Sequence, residues 1–219
     1  MPSETAVTGP IVVEQRGAVC LIGLNRVAKR NALDDAAIAA LDQAFSTLPE
    51  DVGAVVLHGL GTHFSAGLDL SELKERDVVE GIFHSASLHR AFEKIQYGRG
   101  PVVAALHFGV IGGCLELASS AHIRVADATA YYAMPEGQRG IYVGGGASVR
   151  VPRLIGVARM MDMMLTGRTY TADEGLGIGL SQYVVPAGAA LAKAIELAER
   201  ISANAGLTNI KRVVLAAAT

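Results

Sequence analysis

The sequence lacks tryptophan and has only two cysteines, Cys20 and Cys114, in 219 residues. Two cysteines so far apart do not form a disulfide framework, which excludes a small disulfide-stabilised scaffold and favours buried thiols in a reducing compartment. Long apolar runs are also missing. The apolar stretch at residues 101–106 is far shorter than the roughly 20 residues that a membrane-spanning helix needs.

An excess of charge of one sign is absent too. The chain has 19 Lys and Arg against 21 Asp and Glu, a formal net charge of -2, so no overall positive field attracts nucleic acid. The N-terminal segment MPSETAVTGP has neither the basic nor the apolar region of a secretory signal, nor the arginines of a transit peptide. We therefore expect a cytoplasmic protein that binds neither nucleic acid nor a membrane.

What the sequence does have is apolar content: 51% of its residues are hydrophobic and 18% are charged. This composition excludes a disordered chain and predicts one domain with a sizeable core. The surplus of apolar residues is expected to serve the core or contacts between subunits.

Short β-branched runs alternate with segments of helical periodicity, which predicts an α/β fold. Residues 11–13 and 18–24 are expected to pair as a hairpin. Residues 71–97 are rich in charge and indicate amphipathic helices or a mobile flap. The remaining predicted strands are residues 52–59, 101–106, 123–126, 130–133 and 183–185, and the predicted helices are 31–48, 112–121, 147–154, 160–165, 173–180 and 187–201.

Two glutamates stand within otherwise apolar segments. Glu116 lies in GVIGGCLELA on a predicted helix, where partial desolvation would raise its pKa toward the range of a general acid or base. Taken alone, it is more commonly a partner of an arginine or a helix cap. Glu136 follows Pro135 at the end of a predicted strand, where a turn residue is the ordinary interpretation. Together, two carboxylates in different environments favour acid and base roles.

Two glycine-containing turns could supply backbone N–H groups to a ligand. Gly112 and Gly113 open the predicted helix, where exposed N–H groups and the helix dipole suit a developing oxyanion. A tight strand-to-helix turn would use the same glycines. In HFSAGLDL, Gly67 allows a turn after which Leu68 can present a second N–H. Two such donors would polarise a thioester or ester carbonyl.

Taken in order, these segments resemble the crotonase family, the enoyl-CoA hydratase and isomerase superfamily, over nearly the whole chain. The matching segments are NRVAKRNALDD, HFSAGLDLSEL, PVVAALHFGVIGGCLELASSAHIRVA, YYAMPEGQRGI and the later VPRLIGVARMMDMMLTGRTYTADEGLGIGLSQYVVP. The resemblance implies an α/β spiral of ββα units in two roughly perpendicular sheets, plus a helical C-terminal segment. It also implies Glu116 and Glu136 as catalytic residues and the N–H groups of Leu68 and Gly113 as an oxyanion hole.

The ligand implied by the resemblance is an acyl-CoA thioester, with coenzyme A as part of the substrate and no prosthetic group. Because the histidines lack ligand spacing, we expect no metal site. The family forms trimers, often paired into hexamers. Lys29 and Arg30 are candidate contacts of the CoA phosphates, and the other candidate substrate contacts are Ala66, Gly67, Leu68, Asp69, Leu70, Gly112 and Gly113.

The sequence departs from the family pattern at three places. The usual run of three glycines reads Gly112-Gly113-Cys114, and the residues after Glu136 are Gly137-Gln138-Arg139 in place of apolar ones. Arg139 is either a surface residue or the partner of a carboxylate on the enzyme or on a substrate. The helical tail is short or truncated, so we assign residues 1–202 to the catalytic domain and 203–219 to a remnant of the C-terminal oligomerisation segment.

The expected activity is that of an enoyl-CoA hydratase, which adds water reversibly across the C2=C3 bond of an enoyl-CoA thioester. One alternative is an enoyl-CoA isomerase of the same fold, which moves a proton with one carboxylate. The other is a protein of this fold that binds CoA esters or a partner without catalysis.

Overall fold

The computed structural model describes residues 4–72, 77–204, 210–211 and 214–215. Within them the chain alternates between strands and helices, as the sequence predicts. The strands are β1 (Glu4–Thr8), β2 (Ile11–Arg16), β3 (Val19–Leu24), β4 (Ala54–Gly59), β5 (Val102–Leu106), β6 (Gly109–Ile111), β7 (Ile123–Asp127), β8 (Tyr131–Ala133), β9 (Tyr170–Thr171) and β10 (Tyr183–Val185). The α-helices are α1 (Asp35–Ser46), α2 (Val78–Tyr97), α3 (Gly113–Ser120), α4 (Ala147–Ile155), α5 (Val157–Thr166), α6 (Ala172–Ile178) and α7 (Ala190–Ser202).

The strands form a seven-stranded sheet in the order β1-β2-β3-β4-β5-β7-β10 and a three-stranded sheet in the order β6-β8-β9. The first three strands of the large sheet are antiparallel, and every later pairing in it is parallel. Helical segments separate the parallel strands, because a parallel pair needs a crossover connection. The predicted mixed α/β fold is confirmed.

Both faces of the large sheet are buried. Along β4, Val55 and Leu57 face the larger core, which contains residues of α1, α2 and α3. The alternate residues Ala54 and Val56 face a second cluster, whose helical members all come from α7. This two-residue alternation with apolar side chains on both faces is typical of a parallel strand covered by helices on each side.

The helix boundaries follow local capping chemistry. The helix predicted from residue 31 begins at Asp35, because the Asp34 carboxylate accepts the N–H of Ala37. The ambiguous segment 71–97 contains α2, which opens with a reciprocal capping box between Asp77 and Glu80. Residues 73–76 of that segment lie outside the described residues.

The sequence did not predict β1, β6 or β9. The strand β9 has two residues and β6 has three, so neither has enough length to show an alternating pattern. Most of the predicted C-terminal remnant, residues 203–219, lies outside the described residues. In the part that the structure describes, no helix is both long enough and apolar enough to cross a membrane.

Candidate active site

The turn between β6 and α3 places a glycine directly beside Glu136. Gly112 has φ 54° and ψ -123°, a conformation that side chains with a Cβ avoid, and a Cβ at this position would collide with Glu136 Oε1. Its N–H donates to the carbonyl of Ala133 at 2.9 Å, which ties this turn to the end of β8. Gly113 then begins α3, so its N–H lies at the positive end of that helix.

The loop that carries Leu68 is aligned against Leu33. The N–H of Leu33 donates to the carbonyl of Gly67 at 2.8 Å, and the N–H of Asp69 donates to the carbonyl of Leu33 at 2.8 Å. This parallel bridge uses the residues on either side of Leu68, so the N–H of Leu68 itself points away from Leu33. A Cβ built on Gly113 would lie 3.6 Å from the Leu68 nitrogen. The two predicted N–H donors are therefore neighbours.

A partly buried ion-pair network holds this loop in place, and it was not predicted from the sequence. Arg26 Nη2 lies 2.8 Å from an oxygen of Asp34 and 3.0 Å from an oxygen of Asp69. Asp69 also accepts hydrogen bonds from the N–H and hydroxyl of Ser71. Asp69 is thus engaged by protein groups. The signal was available in the sequence, since Arg26 and Asp34 both belong to NRVAKRNALDD.

Glu116 is buried on α3, with 1% of its surface exposed. One carboxylate oxygen, Oε2, accepts the N–H groups of Gly145 at 2.7 Å and Ala147 at 2.9 Å. Desolvation raises the pKa of Glu116 to about 7, although the two N–H donors favour the charged form. Because Ala147 is the first residue of α4, the helix-cap alternative also describes part of this arrangement.

Glu136 follows β8 and Pro135 and is 6% exposed. Burial raises the pKa of its carboxyl group, while the positive charge of Arg139 partly offsets that rise. Among the described residues, Oε2 of Glu136 has no hydrogen-bond partner. A buried carboxyl oxygen without a partner favours the protonated form of the group and leaves it available to a ligand.

A narrow cleft joins the Leu68 loop to Glu136. Glu116 does not line the cleft. A negative charge on Glu136 would raise the pKa of Glu116 further. The cleft residues are Ala66, Gly67, Leu68, Leu70, Ile111, Gly112, Gly113, Pro135, Glu136, Arg139 and Ile141.

Three of the sequence candidates lie elsewhere. Lys29 and Arg30 are exposed and do not line the cleft, and Asp69 is held in its network with Arg26. Cys114 is buried, and its thiol donates to the hydroxyl of Ser65. Burial raises the pKa of that thiol to about 12, so the thiol remains protonated and is a poor nucleophile.

The family model described as Enoyl-CoA hydratase/isomerase matches residues 14–218 of the chain. The protein belongs to this family. The match includes every residue of the cleft described above, so the crotonase resemblance is confirmed for the chain as a whole.

Individual members of the enoyl-CoA hydratase/isomerase family are similar over most of their length. A short-chain-enoyl-CoA hydratase from Clostridium acetobutylicum is 33% identical over 198 residues, which are 89% of this chain and 76% of that protein. A crystal structure from Rhodopseudomonas palustris, provisionally named an enoyl-CoA hydratase, is 62% identical with a TM-score of 0.89 and covers 92% of this chain and 78% of its own. A Thermobifida fusca structure with the same provisional name, in complex with CoA, is 27% identical with a TM-score of 0.88. The match covers 95% of this chain and 85% of the Thermobifida fusca chain.

Proposed function

We propose that the protein is an enoyl-CoA hydratase, which adds water across the C2=C3 bond of an enoyl-CoA thioester. The observation that carries this proposal is the cleft in which the N–H groups of Leu68 and Gly113 adjoin the buried carboxyl of Glu136. The similarity to proteins named enoyl-CoA hydratase supports the same activity. The relative in complex with CoA supports CoA thioesters as ligands.

The two N–H groups would stabilise the negative charge that develops on the substrate during hydration. Attack of water oxygen at C3 shifts electrons toward the thioester carbonyl, whose oxygen becomes enolate-like. N–H donors from Leu68 and Gly113, with the α3 dipole behind the second, would stabilise this oxygen more than the neutral carbonyl. One such donor typically lowers the barrier by about 3 kcal/mol.

The surroundings of the two carboxyls suggest how they divide the proton transfers. The Glu116 carboxylate, oriented by the N–H groups of Gly145 and Ala147, would accept a proton from the water that attacks C3. The protonated Glu136 would deliver a proton to C2 from its unpartnered oxygen. The hydroxyl of the water thus adds to C3, and C2 receives the proton of Glu136. The proton left on Glu116 must return to Glu136 before the next turnover.

An enoyl-CoA isomerase is the second candidate, because Glu136 lines the cleft and Glu116 does not. An isomerase would use Glu136 alone to move a proton between carbons, and no water would enter the product. The two candidate activities therefore differ in whether Glu116 takes part in proton transfer.

Incubation with crotonyl-CoA tests the proposal. Hydration removes the conjugated double bond, so the enoyl absorbance should fall, and mass spectrometry should detect the 3-hydroxy product. Crotonyl-CoA that stays intact while a 3-enoyl-CoA is converted to its 2-enoyl isomer would contradict hydration and support the isomerase. Conversion of neither substrate, with retained binding of CoA esters, would indicate a non-catalytic binding protein.

A further inference from the structure

The short 3-10 helix after Glu136 is anchored against α5. A Cβ on Gly137 would collide with the carbonyl oxygen of Met164, so only glycine permits this close approach. The side chain of Gln138 donates to the carbonyl of Thr166 at 3.0 Å, which fixes the same turn from its outer side. These contacts of Gly137 and Gln138 fix the backbone from which the next residue, Arg139, projects.

This anchoring directs Arg139 to the same side as Glu136. The N–H of Arg139 donates to the carbonyl of Glu136 at 3.0 Å, the spacing of a 3-10 turn, and residues three apart eclipse one another in that helix. Both side chains line the cleft. Their backbones are separated by about 6 Å along the turn, since each residue rises about 2.0 Å.

Arg139 is an exposed residue whose positive charge partly offsets the rise in the pKa of Glu136. In the described part of the chain, no carboxylate lies within ion-pair distance of its guanidinium. Apart from Glu136 and Arg139, the side chains that line the cleft are apolar: Ala66, Leu68, Leu70, Ile111, Pro135 and Ile141. An alkyl chain would contact these apolar side chains without interacting with the guanidinium of Arg139. An anionic group would form a charge-assisted hydrogen bond with that guanidinium.

We propose that Arg139 is a specificity-determining residue that selects enoyl-CoA thioesters whose acyl chain ends in a carboxylate. The proposal rests on the proposed function, in which Glu136 delivers a proton to C2. A carboxylate about two bonds beyond C3 would lie toward Arg139, because the offset along the turn is about 6 Å. The substrate class is thus the monothioester of a short unsaturated dicarboxylic acid.

The test compares two substrates of equal chain length, glutaconyl-CoA and 2-pentenoyl-CoA, which differ in a terminal carboxylate against a methyl group. We expect the wild-type ratio of kcat/KM to favour glutaconyl-CoA by about 10-fold or more, the usual effect of a charge-assisted hydrogen bond. In Arg139→Leu this ratio should fall at least about 10-fold, and Arg139→Lys should retain part of it. The matched control is Arg153→Leu, an exposed arginine outside the cleft, which should keep the wild-type ratio.

A binding measurement separates failure of this proposal from failure of the proposed function. Calorimetry should show that glutaryl-CoA binds about 10-fold more tightly than pentanoyl-CoA, and that Arg139→Leu removes the difference. This preference would stand even if neither unsaturated thioester were hydrated. Equal affinity of the wild type for the two thioesters would overturn the proposal. So would an equal loss on both in Arg139→Leu, which would place Arg139 at the CoA moiety or at Glu136.

Discussion

At the scale of single residues, Glu116 and Glu136 are both buried carboxyls with different surroundings. Glu116 accepts two backbone N–H groups on one oxygen, whereas Oε2 of Glu136 has no partner among the described residues. Burial raises the pKa of each. The two groups therefore differ in hydrogen bonding more than in burial. The carboxylate of Glu116 is held in one orientation, whereas Oε2 of Glu136 is available to bind a ligand.

Conservative replacement of each glutamate tests their roles separately. Glu116→Gln and Glu136→Gln should each lower kcat for hydration about 10²-fold or more, because acid and base catalysis contributes about 10²–10⁴. The dissociation constant of a saturated acyl-CoA should change only a few-fold. Steady-state kinetics on crotonyl-CoA and calorimetry give the two values.

Near wild-type hydration by either variant would contradict the two-carboxylate mechanism. Isomerisation that survives in Glu116→Gln and disappears in Glu136→Gln would favour the isomerase. The exposed Glu50 offers the control variant Glu50→Gln, for which neither measurement should change.

The raised pKa of Glu116 also makes stability depend on pH. The folded protein retains this proton up to about pH 7, whereas the unfolded chain loses it near its usual value of 4.5. Between these values the unfolded state binds fewer protons, so the free energy of unfolding falls as the pH rises, by up to about 3 kcal/mol. Urea unfolding at pH 5 and pH 8 should show this fall, and Glu116→Gln should reduce it. An identical pH dependence in both proteins would disprove the link.

At the scale of elements, the start of α3 combines a helix N-terminus with close contact to the Leu68 loop. A methyl group on Gly113 would lie 3.0 Å from Leu68 Cγ, a distance that requires the leucine side chain to move. Gly113→Ala keeps the N–H and should chiefly weaken acyl-CoA binding. Gly113→Pro removes the donor and should abolish hydration. Circular dichroism must first show that the proline variant is folded; a folded and active Gly113→Pro would refute the oxyanion role.

Helix α7 packs through small residues on the second face of the large sheet. Ala194 is fully buried there, whereas Ala192 on the same helix is exposed. Ala194→Leu should lower the free energy of unfolding by about 1–3 kcal/mol, because added methylenes overfill a close-packed site. Ala192→Leu adds the same volume toward solvent and should leave stability within about 0.5 kcal/mol. Denaturant unfolding of the two variants makes the comparison, and equal effects would refute this packing.

At the scale of the whole molecule, an apolar stripe on α5 remains uncovered in the single chain. Val157, Met161 and Leu165 recur every four residues and are 67%, 46% and 71% exposed, while Met160 and Met163 are buried. The methionine-rich helix thus contributes to the core on one face and presents apolar groups on the other. Exposed stripes of this kind commonly mark contacts between subunits.

We expect the protein to self-associate as a trimer or a dimer of trimers. Light scattering coupled to size exclusion at micromolar concentration should give a mass of about 68 kDa or its double, from a chain of 22.8 kDa. Leu165→Glu, which places a charge in the stripe, should shift the mass toward the single chain if α5 contributes to the interface. A wild-type mass near 23 kDa would contradict self-association.

The sequence by itself determined the α/β class, the hairpin of β2 and β3, and the placement of Glu116 on a helix and Glu136 after a strand. The hydrophobic periodicities of strands and helices depend on residues close together in the chain, so they can be recognised from the sequence without knowledge of the fold. Only the tertiary structure decided that Ala147 of α4 and Gly145 before it donate N–H groups to Glu116, that Arg26 pairs with Asp69, and that Arg139 shares a cleft with Glu136. The contacts of Glu116 and Asp69 join segments that are far apart in the chain, and the packing of the fold brings them together.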